Sequence, residues 1–439
     1  MTLPFSSPPK STLSKAWLGW CLYDWANSAF ATVILAAVLP VFFAALVPVK
    51  GAKFTISSFT RTIPATALWG YAVAFSMLMV VLLAPYLGAW GDAHRSRKKL
   101  LIIFCLIGSM ATALLGFTGP KDYLFVLILF MIANVSFATG NIFYNSFLTA
   151  LAAPSEIDTL SSRGFAFGYV GGGVMLLIVF LLIRFYSWFG LTDAADASRV
   201  GFLITGVWWL LFALPAFKYL NEETLPDEIK PLNSGLKGYL ETFAEIKKFP
   251  DLLRFLIAFL FYNDGIQTII AVAAIFASTE INISQEAVLG CFLMIQFVAM
   301  PGALFFGKVA QRLGAKSAIQ ITLLLFIGLT LYAGQMNSML DFWILGFVVA
   351  LILGGSQAIS RSLFASMLPV EKSAEFFGFY AVSGKFASIF GPLLFALIAD
   401  ITGSARLSIS ALTVFFVIGL LVLRTVNVDR GRALAENRS

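Results

Sequence analysis

The chain has 439 residues, of which 59% are apolar and 12% charged, with a formal net charge of +7 and a mean hydropathy of +0.88. A water-soluble domain carries about 45–50% apolar and about 25% charged residues, so a soluble fold of this length is excluded: its surface could not be made polar. The basic excess lies in short blocks between apolar runs rather than on a basic face, so no nucleic-acid partner is expected.

Residues 1–15 are rich in Pro and Ser and lack the short apolar core and cleavage site of a secretory signal; they read as a cytoplasmic tail. Twelve apolar segments follow. Six lie at 16–46, 64–90, 100–118, 122–152, 163–188 and 200–220, and six at 252–278, 285–310, 316–336, 340–368, 374–402 and 406–425. A membrane span needs about 20 apolar residues, and a helix satisfies its own backbone within lipid. The runs lack the alternation of barrel strands. The expected fold is therefore an all-α membrane protein of twelve transmembrane helices, in two six-helix bundles over 16–220 and 251–425. The polar stretch 221–250 reads as a cytoplasmic linker with an amphipathic helix near 236–249, and 426–439 as a second tail. With both termini inside, 22 Lys and Arg fall on inner segments and seven on outer ones, which sets the direction by the positive-inside rule. A bacterial inner (plasma) membrane is the expected location. Trp208 and Trp209 read as interfacial anchors.

The two halves repeat. Tyr23-Asp24 in the first span matches Tyr262-Asn263-Asp264 in the seventh. Gly88-Ala-Trp-Gly-Asp92 with Arg95, Arg97, Lys98 and Lys99 follows the second span, and Gly307-Lys-Val-Ala-Gln311-Arg312 follows the eighth. Parallel halves of six spans are a transporter architecture. Gly, three residues, Asp and a basic cluster after the second span resemble the gating loop of the major facilitator superfamily. Tyr23-Asp-Trp-Ala-Asn-Ser28, Ser161-Ser-Arg-Gly-Phe-Ala-Phe-Gly-Tyr169 with Gly171–Gly173, Tyr262-Asn-Asp-Gly265 and Gly354-Gly-Ser-Gln-Ala-Ile-Ser-Arg-Ser362 narrow the resemblance to the vacuole effluxer-like family within it, over about 16 to 425. That resemblance implies a transporter; eukaryotic members are associated with moving amino acids out of the vacuole, and bacterial members largely have no assigned substrate. The chain departs from the superfamily pattern at Ala93, Ser96 and Gln311, so the second gate is expected to be electrostatically weaker than the first.

An ionised side chain near the bilayer centre costs roughly 2.5–3.5 kcal/mol on insertion scales, so each one needs a partner or water. Asp24, with Asn27 and Ser28 on its face, lies about eight residues into the first span. Asp264, with Gln267 and Thr268 on its face, lies about 13 residues into the seventh; Tyr262 and Asn263 precede it. Lys385 lies near mid-depth in the eleventh span, and Arg361, with Gln357 one turn away, near the inner end of the tenth. The fork of Arg361 suits a carboxylate, either of a solute or of Glu371 or Glu375. Asn134, Asn141 and Asn145, with Tyr144, form a stripe on the fourth span; Asn can bind solute or join helices. Asp92 is expected to latch the inner face through Arg95, Arg97 or Arg163. The Gly171–Gly173 run reads as close helix packing or a hinge.

The expected activity is secondary transport of a small polar solute, an amino acid or related zwitterion, with a proton as a candidate coupling ion. In that reading Asp24 or Asp264 holds an ammonium group or proton, and Lys385 or Arg361 a carboxylate. A peptidoglycan fragment, sugar or drug is the alternative cargo, and a lipid-handling or sensory protein without turnover the alternative class. Three scattered cysteines and the single histidine, His94, form no metal spacing, and neither a nucleophile–base pair nor a Walker motif is found. No enzyme activity and no cofactor are expected, and the partners are solute and bilayer, with a monomer as the working unit.

Overall fold

The computed structural model describes residues 10–48, 52–56, 59–63, 65–153, 155–222, 244–281, 285–386, 390–402 and 404–436; Lys385 is described in its backbone alone. Apolar runs of this length leave a backbone in lipid no partner but itself, and the described chain is helical apart from one antiparallel hairpin, Ala52–Ile56 paired with Phe59–Ile63. Helix α1 is Lys10–Ala29, continued by a π-helical stretch Phe30–Ala37 and the short helix Leu39–Leu46. Then follow α2 Ala65–Ala93, α3 Arg97–Leu114, α4 Tyr123–Ser146, α5 Ile157–Arg184 and α6 Ala194–Tyr219. The second half holds α7 Pro250–Glu280, α8 Gln285–Leu313, α9 Ala315–Ala333, α10 Met339–Ala365, α11 (Ser373–Phe386 and Phe390–Thr402) and α12 (Ala405–Ala411 and Thr413–Arg424). A last helix, α13, is Val428–Glu436. Among the described residues, ten helices are long and apolar enough to cross a membrane, and the pair in α1, bent by 43°, makes an eleventh. The two pieces of α11 flank 387–389, which lie outside the described residues, and take the remaining position of twelve.

Local chemistry sets several starts and bends. Ser338 and Asp341 form a capping box at α10, and Asp193 caps α6 by accepting the amide of Asp196 at 2.7 Å. Pro250 stands in the first turn of α7, where its missing N–H costs nothing. The bend in α1 falls between a π-helical run and Pro40.

In the N-terminal bundle α1 packs on α5 and α6, and α3 on α4 and α6; in the C-terminal bundle α8 and α9 pack on α10, and α7 on α12. Helices in lipid associate through close packing rather than burial from water, which favours small residues at the crossings. A Cβ on Gly206 would stand 2.6 Å from the backbone of Ser109 and Ala113, and one on Gly302 would overlap the Leu351 carbonyl. Gly171 and Gly172 let α5 close on the Trp25, Ser28 and Thr32 side of α1. Large apolar side chains such as Phe75, Met110, Phe305 and Leu324 face outward. The bundles meet where α2 and α4 face the first piece of α11 and α5 faces α8 and α10. The polar contacts across that seam cluster at the end that carries the termini.

Four expectations change. Trp208 and Trp209 are not interfacial anchors: Trp208 stacks on Trp25 at 5.8 Å, and Trp209 is fully buried beside Phe30 and Phe137, because α6 turns this face onto α1. The tail 426–439 is largely helical, held by Asp251, which accepts Arg430 Nε at 2.5 Å, Arg430 Nη2 at 2.8 Å and the Asn427 amide at 2.9 Å. Residues 10–15 already belong to α1, and the fifth span begins at Ile157 rather than 163. Most of the expected amphipathic linker helix near 236–249 lies outside the described residues.

Candidate functional site

A cavity of about 560 Å³ lies between the bundles, lined from α1, α4, α5, α7, α8, α10 and α11. Its lining runs along α10 from Arg361 to Phe342, roughly 29 Å at 1.5 Å per residue. It is floored at the end near the termini and extends to the opposite end of the bundles.

The floor is a charged contact between bundles. Arg361, 3% exposed, donates from Nη1 to Asp24 Oδ2 at 3.3 Å and to Asn145 Oδ1 at 3.3 Å. Its Nε donates to Ser161 Oγ at 2.9 Å and its Nη2 to the Ser161 carbonyl at 2.7 Å. The Tyr144 hydroxyl donates to Asp24 Oδ2 at 3.0 Å. The guanidinium lies 4.1 Å from the Phe165 ring centroid, 4.7 Å from Trp20 and 5.6 Å from Tyr144. Trp20 and Tyr144 stack at 4.5 Å, and Trp20 Nε1 holds the Tyr144 carbonyl at 2.9 Å. Arg361 thus pairs with Asp24 rather than with Glu371 or Glu375. The spacing along α10 left that choice open, and the approach of α1 decides it.

Above the floor the walls are carboxamides and aromatic rings. Asn27 Nδ2 donates to Asn141 Oδ1 at 2.7 Å, and the Tyr169 hydroxyl donates to Gln357 Oε1 at 2.7 Å across the seam. Asn263 and Gln267 add to the wall from α7, and Phe137, Phe259, Phe342 and Tyr380 supply apolar surface.

Other expected site residues stand elsewhere. Asp264 is fully buried but does not line the cavity; its carboxylate points at the backbone of Gly391 on α11. A Cβ on Gly391 would come 2.9 Å from Asp264 Oδ1, so only glycine lets α11 approach this closely. Tyr262 is buried within the C-terminal bundle, its hydroxyl 2.6 Å from Ser360 Oγ. Asn134 donates to Ser76 Oγ at 2.8 Å, joining α2 and α4 inside one bundle. Lys385 lies on α11, and its side chain is outside the described residues.

The loop after α2 binds the other bundle. Asp92, 2% exposed, accepts Arg97 Nε at 2.5 Å. It also accepts the amides of Ala374 at 3.3 Å and Glu375 at 2.8 Å, so it satisfies the open N-terminus of α11 from across the seam. Arg97 is fully buried and donates from Nη2 to the carbonyls of Val370 at 2.8 Å and Glu371 at 3.1 Å. A Cβ on Gly88 would overlap the Ala374 carbonyl. Arg95 occupies the turn itself, with φ of 47°. Arg163 is not at this latch: it lies exposed on α5 with its guanidinium 5.6 Å from the Trp17 ring. In the second half Gln311 donates to Thr159, and Ser362 to Asp158, both across the seam, while Arg312 is exposed. Gln311 has no carboxylate to receive a guanidinium and two amides as Asp92 does.

Sequence reasoning passed over Trp20 and Phe165, which enclose Arg361, and Ser161, which accepts its fork. The signal was present in the stretch 161–169, but an aromatic residue in an apolar run has no local mark of facing a cation.

A family model described as vacuole effluxer Atg22 like matches residues 12–436. An uncharacterised major-facilitator-type transporter of Bacillus subtilis, YxiO, is 34% identical over 422 residues, covering 96% of this chain and 96% of that protein. The Autophagy-related protein 22 of Kluyveromyces lactis is 26% identical, covering 84% and 81% of the two chains. Among solved structures, the major facilitator transporter FucP in the outward conformation has a TM-score of 0.69 at 12% identity, covering 94% of this chain and 98% of that one. A bacterial homologue of the iron transporter ferroportin in an outward-facing state has a TM-score of 0.68 at 13% identity, covering 94% and 98%.

Proposed function

Because this chain belongs to the vacuole effluxer Atg22-like family of major facilitator transporters, we propose that it carries a small polar solute, an amino acid or related zwitterion, by alternating access. The observation that carries this reading is the pairing of Asp24 on α1 with Arg361 on α10 at the cavity floor. One acid and one base facing each other across the seam match the two ends of a zwitterion. Inserting the solute exchanges one direct ion pair for two solute-bridged ones, with the ammonium group on Asp24 and the carboxylate on the fork of Arg361. The direct link between bundles is then broken, and they can rock apart at the floor.

Asn27, Asn141, Asn145, Asn263, Gln267 and Gln357 orient the solute with neutral donors and acceptors. Lys385 is a further candidate for its carboxylate, and Asp264 for a coupling proton. The Lys and Arg count supports a cytoplasmic position for the termini and the Asp92 latch, and the Bacillus relative supports a bacterial plasma membrane. The chain works as a monomeric carrier rather than an enzyme. The carboxamide-rich wall favours a neutral sugar as the second reading.

The test is uptake into proteoliposomes from a panel of amino acids, dipeptides and sugars, repeated with Asp24→Asn. We expect at least one zwitterion to be carried and the variant to lose that uptake by about a hundredfold, the scale of a buried charge left without its partner. Uptake confined to sugars would favour the second reading. Full zwitterion uptake by Asp24→Asn would remove the charged floor from the mechanism.

A further inference from the structure

The Arg361 side chain belongs to one bundle, yet its hydrogen-bond acceptors described above all belong to the other. Asp24 is on α1, Asn145 on α4, and Ser161 on α5. The rings around the guanidinium, Trp20, Tyr144 and Phe165, are on the same three helices. Gly164 provides the room: a Cβ there would stand 2.9 Å from Arg361 Nη2 and 2.5 Å from the Trp20 ring. The N-terminal bundle therefore holds a built receptor for a planar cation, with a carboxylate, three further oxygen acceptors and three π faces, and the C-terminal bundle fills it with a tethered ligand.

The geometry points to a cation cage that Arg361 vacates: when the bundles part at the floor, the guanidinium withdraws with α10, and the cage of Trp20, Asp24, Tyr144 and Phe165 receives the ammonium or guanidinium group of a solute. The inference rests on the carrier reading above and adds that the Arg361 guanidinium and the solute's cation cannot occupy the cage together, so Arg361 meets the solute's carboxylate only from outside it. The reason is electrostatic. A withdrawn Arg361 leaves the buried Asp24 carboxylate without a counter-charge, a costly state. The aromatic faces favour an organic cation, which is less tightly hydrated than a metal ion and offers N–H donors to the acceptors. Arg361 then acts as the return ligand, closing the empty carrier by refilling the cage.

Methylguanidinium, a copy of the Arg361 head group, is the probe. In thermal melts of the purified full-length protein, Arg361→Ala should be stabilised saturably by millimolar methylguanidinium, with little shift in the parent protein and none in Arg361→Ala/Asp24→Asn. An equal response of parent and Arg361→Ala, or a shift that survives in the double variant, overturns the cage.

A second measurement keeps Arg361 in place. Ser373 is fully buried, with the Thr149 hydroxyl 3.1 Å from its Oγ across the seam. In a Ser373→Cys protein, methylguanidinium or ethylammonium should speed thiol labelling several-fold, and potassium chloride at equal ionic strength should not. Labelling rates unchanged by the organic cations overturn the inference even if Arg361→Ala does not fold. Loss of cage binding with uptake intact sinks the cage alone, whereas absence of uptake for every solute sinks the carrier reading and leaves the cage measurable.

Discussion

Asp24 and Arg361 lie 337 residues apart and meet at 3.3 Å, whereas Asp264, the repeat counterpart of Asp24, faces no charged side chain among the described residues and meets Thr268 and Gly391 instead. The same residue type at matching positions of two halves thus has two environments. Asp24 lines the cavity and is held by Tyr144 and Arg361; Asp264 faces Gly391 and Thr268 inside its bundle. Away from the cavity wall, Asp264 can act on transport without touching solute. With Asp264→Asn we expect uptake to lose its pH dependence while half-saturation by solute stays near the parent value, measured in proteoliposomes over a range of external pH. Full pH dependence in the variant would take Asp264 out of the coupling role.

The first piece of α11 starts against the other bundle. Its first amides need acceptors, and Asp92 from the end of α2 supplies both oxygens while holding buried Arg97. This start is therefore complete only while the bundles touch. Breaking a buried pair by removing one partner costs about 3–5 kcal/mol, so Asp92→Asn should weaken the closed floor by roughly 3 kcal/mol, about a hundredfold in population. The check is faster labelling of Ser373→Cys in the Asp92→Asn background. Unchanged labelling together with unchanged uptake would show that the latch does not set the conformational balance. The second copy of the loop ends α8 with Gln311 against Thr159, a neutral contact that leaves the electrostatic hold on the Asp92 side.

Across the whole molecule, the connection between bundles is fastened near both ends. Glu222 accepts the Lys98 amide at the start of α3, and Glu245 binds Lys372 at 3.0 Å beside the start of α11 and also pairs with Lys248. The two carboxyls respond oppositely to their surroundings. Burial raises the pKa of Glu222 despite the Lys98 amide, while at Glu245 burial is outweighed by the hydrogen bonds from Lys248 and Lys372, which lower it. A lowered folded pKa means that the Glu245 contribution is complete above the ordinary value of 4.5 and is lost as pH falls through the folded value. Lys372→Gln should lower the melting temperature by roughly 1–2 °C at pH 7, the scale of a partly exposed pair, and by less near pH 3.5. An equal shift at both pH values would show that the effect is not carried by the Glu245 charge.

Hydropathy along the chain is enough to place the spans, the midpoint break and the excess of basic residues on one side, because a helix in lipid needs a fixed apolar length and satisfies its own backbone. The motif after the second span likewise points to Asp92 as a latch, since its acid and basic neighbours are close in sequence. Partners are a different matter. Asn134, Asn141 and Asn145 share one stripe on α4, yet Asn134 joins α2 while the other two face the cavity. The sequence determined which groups are too polar to face lipid. The rotation and crossing of the helices, set by small residues at their contacts, decided which of those groups meet across the seam, which face the cavity and which stay inside a bundle.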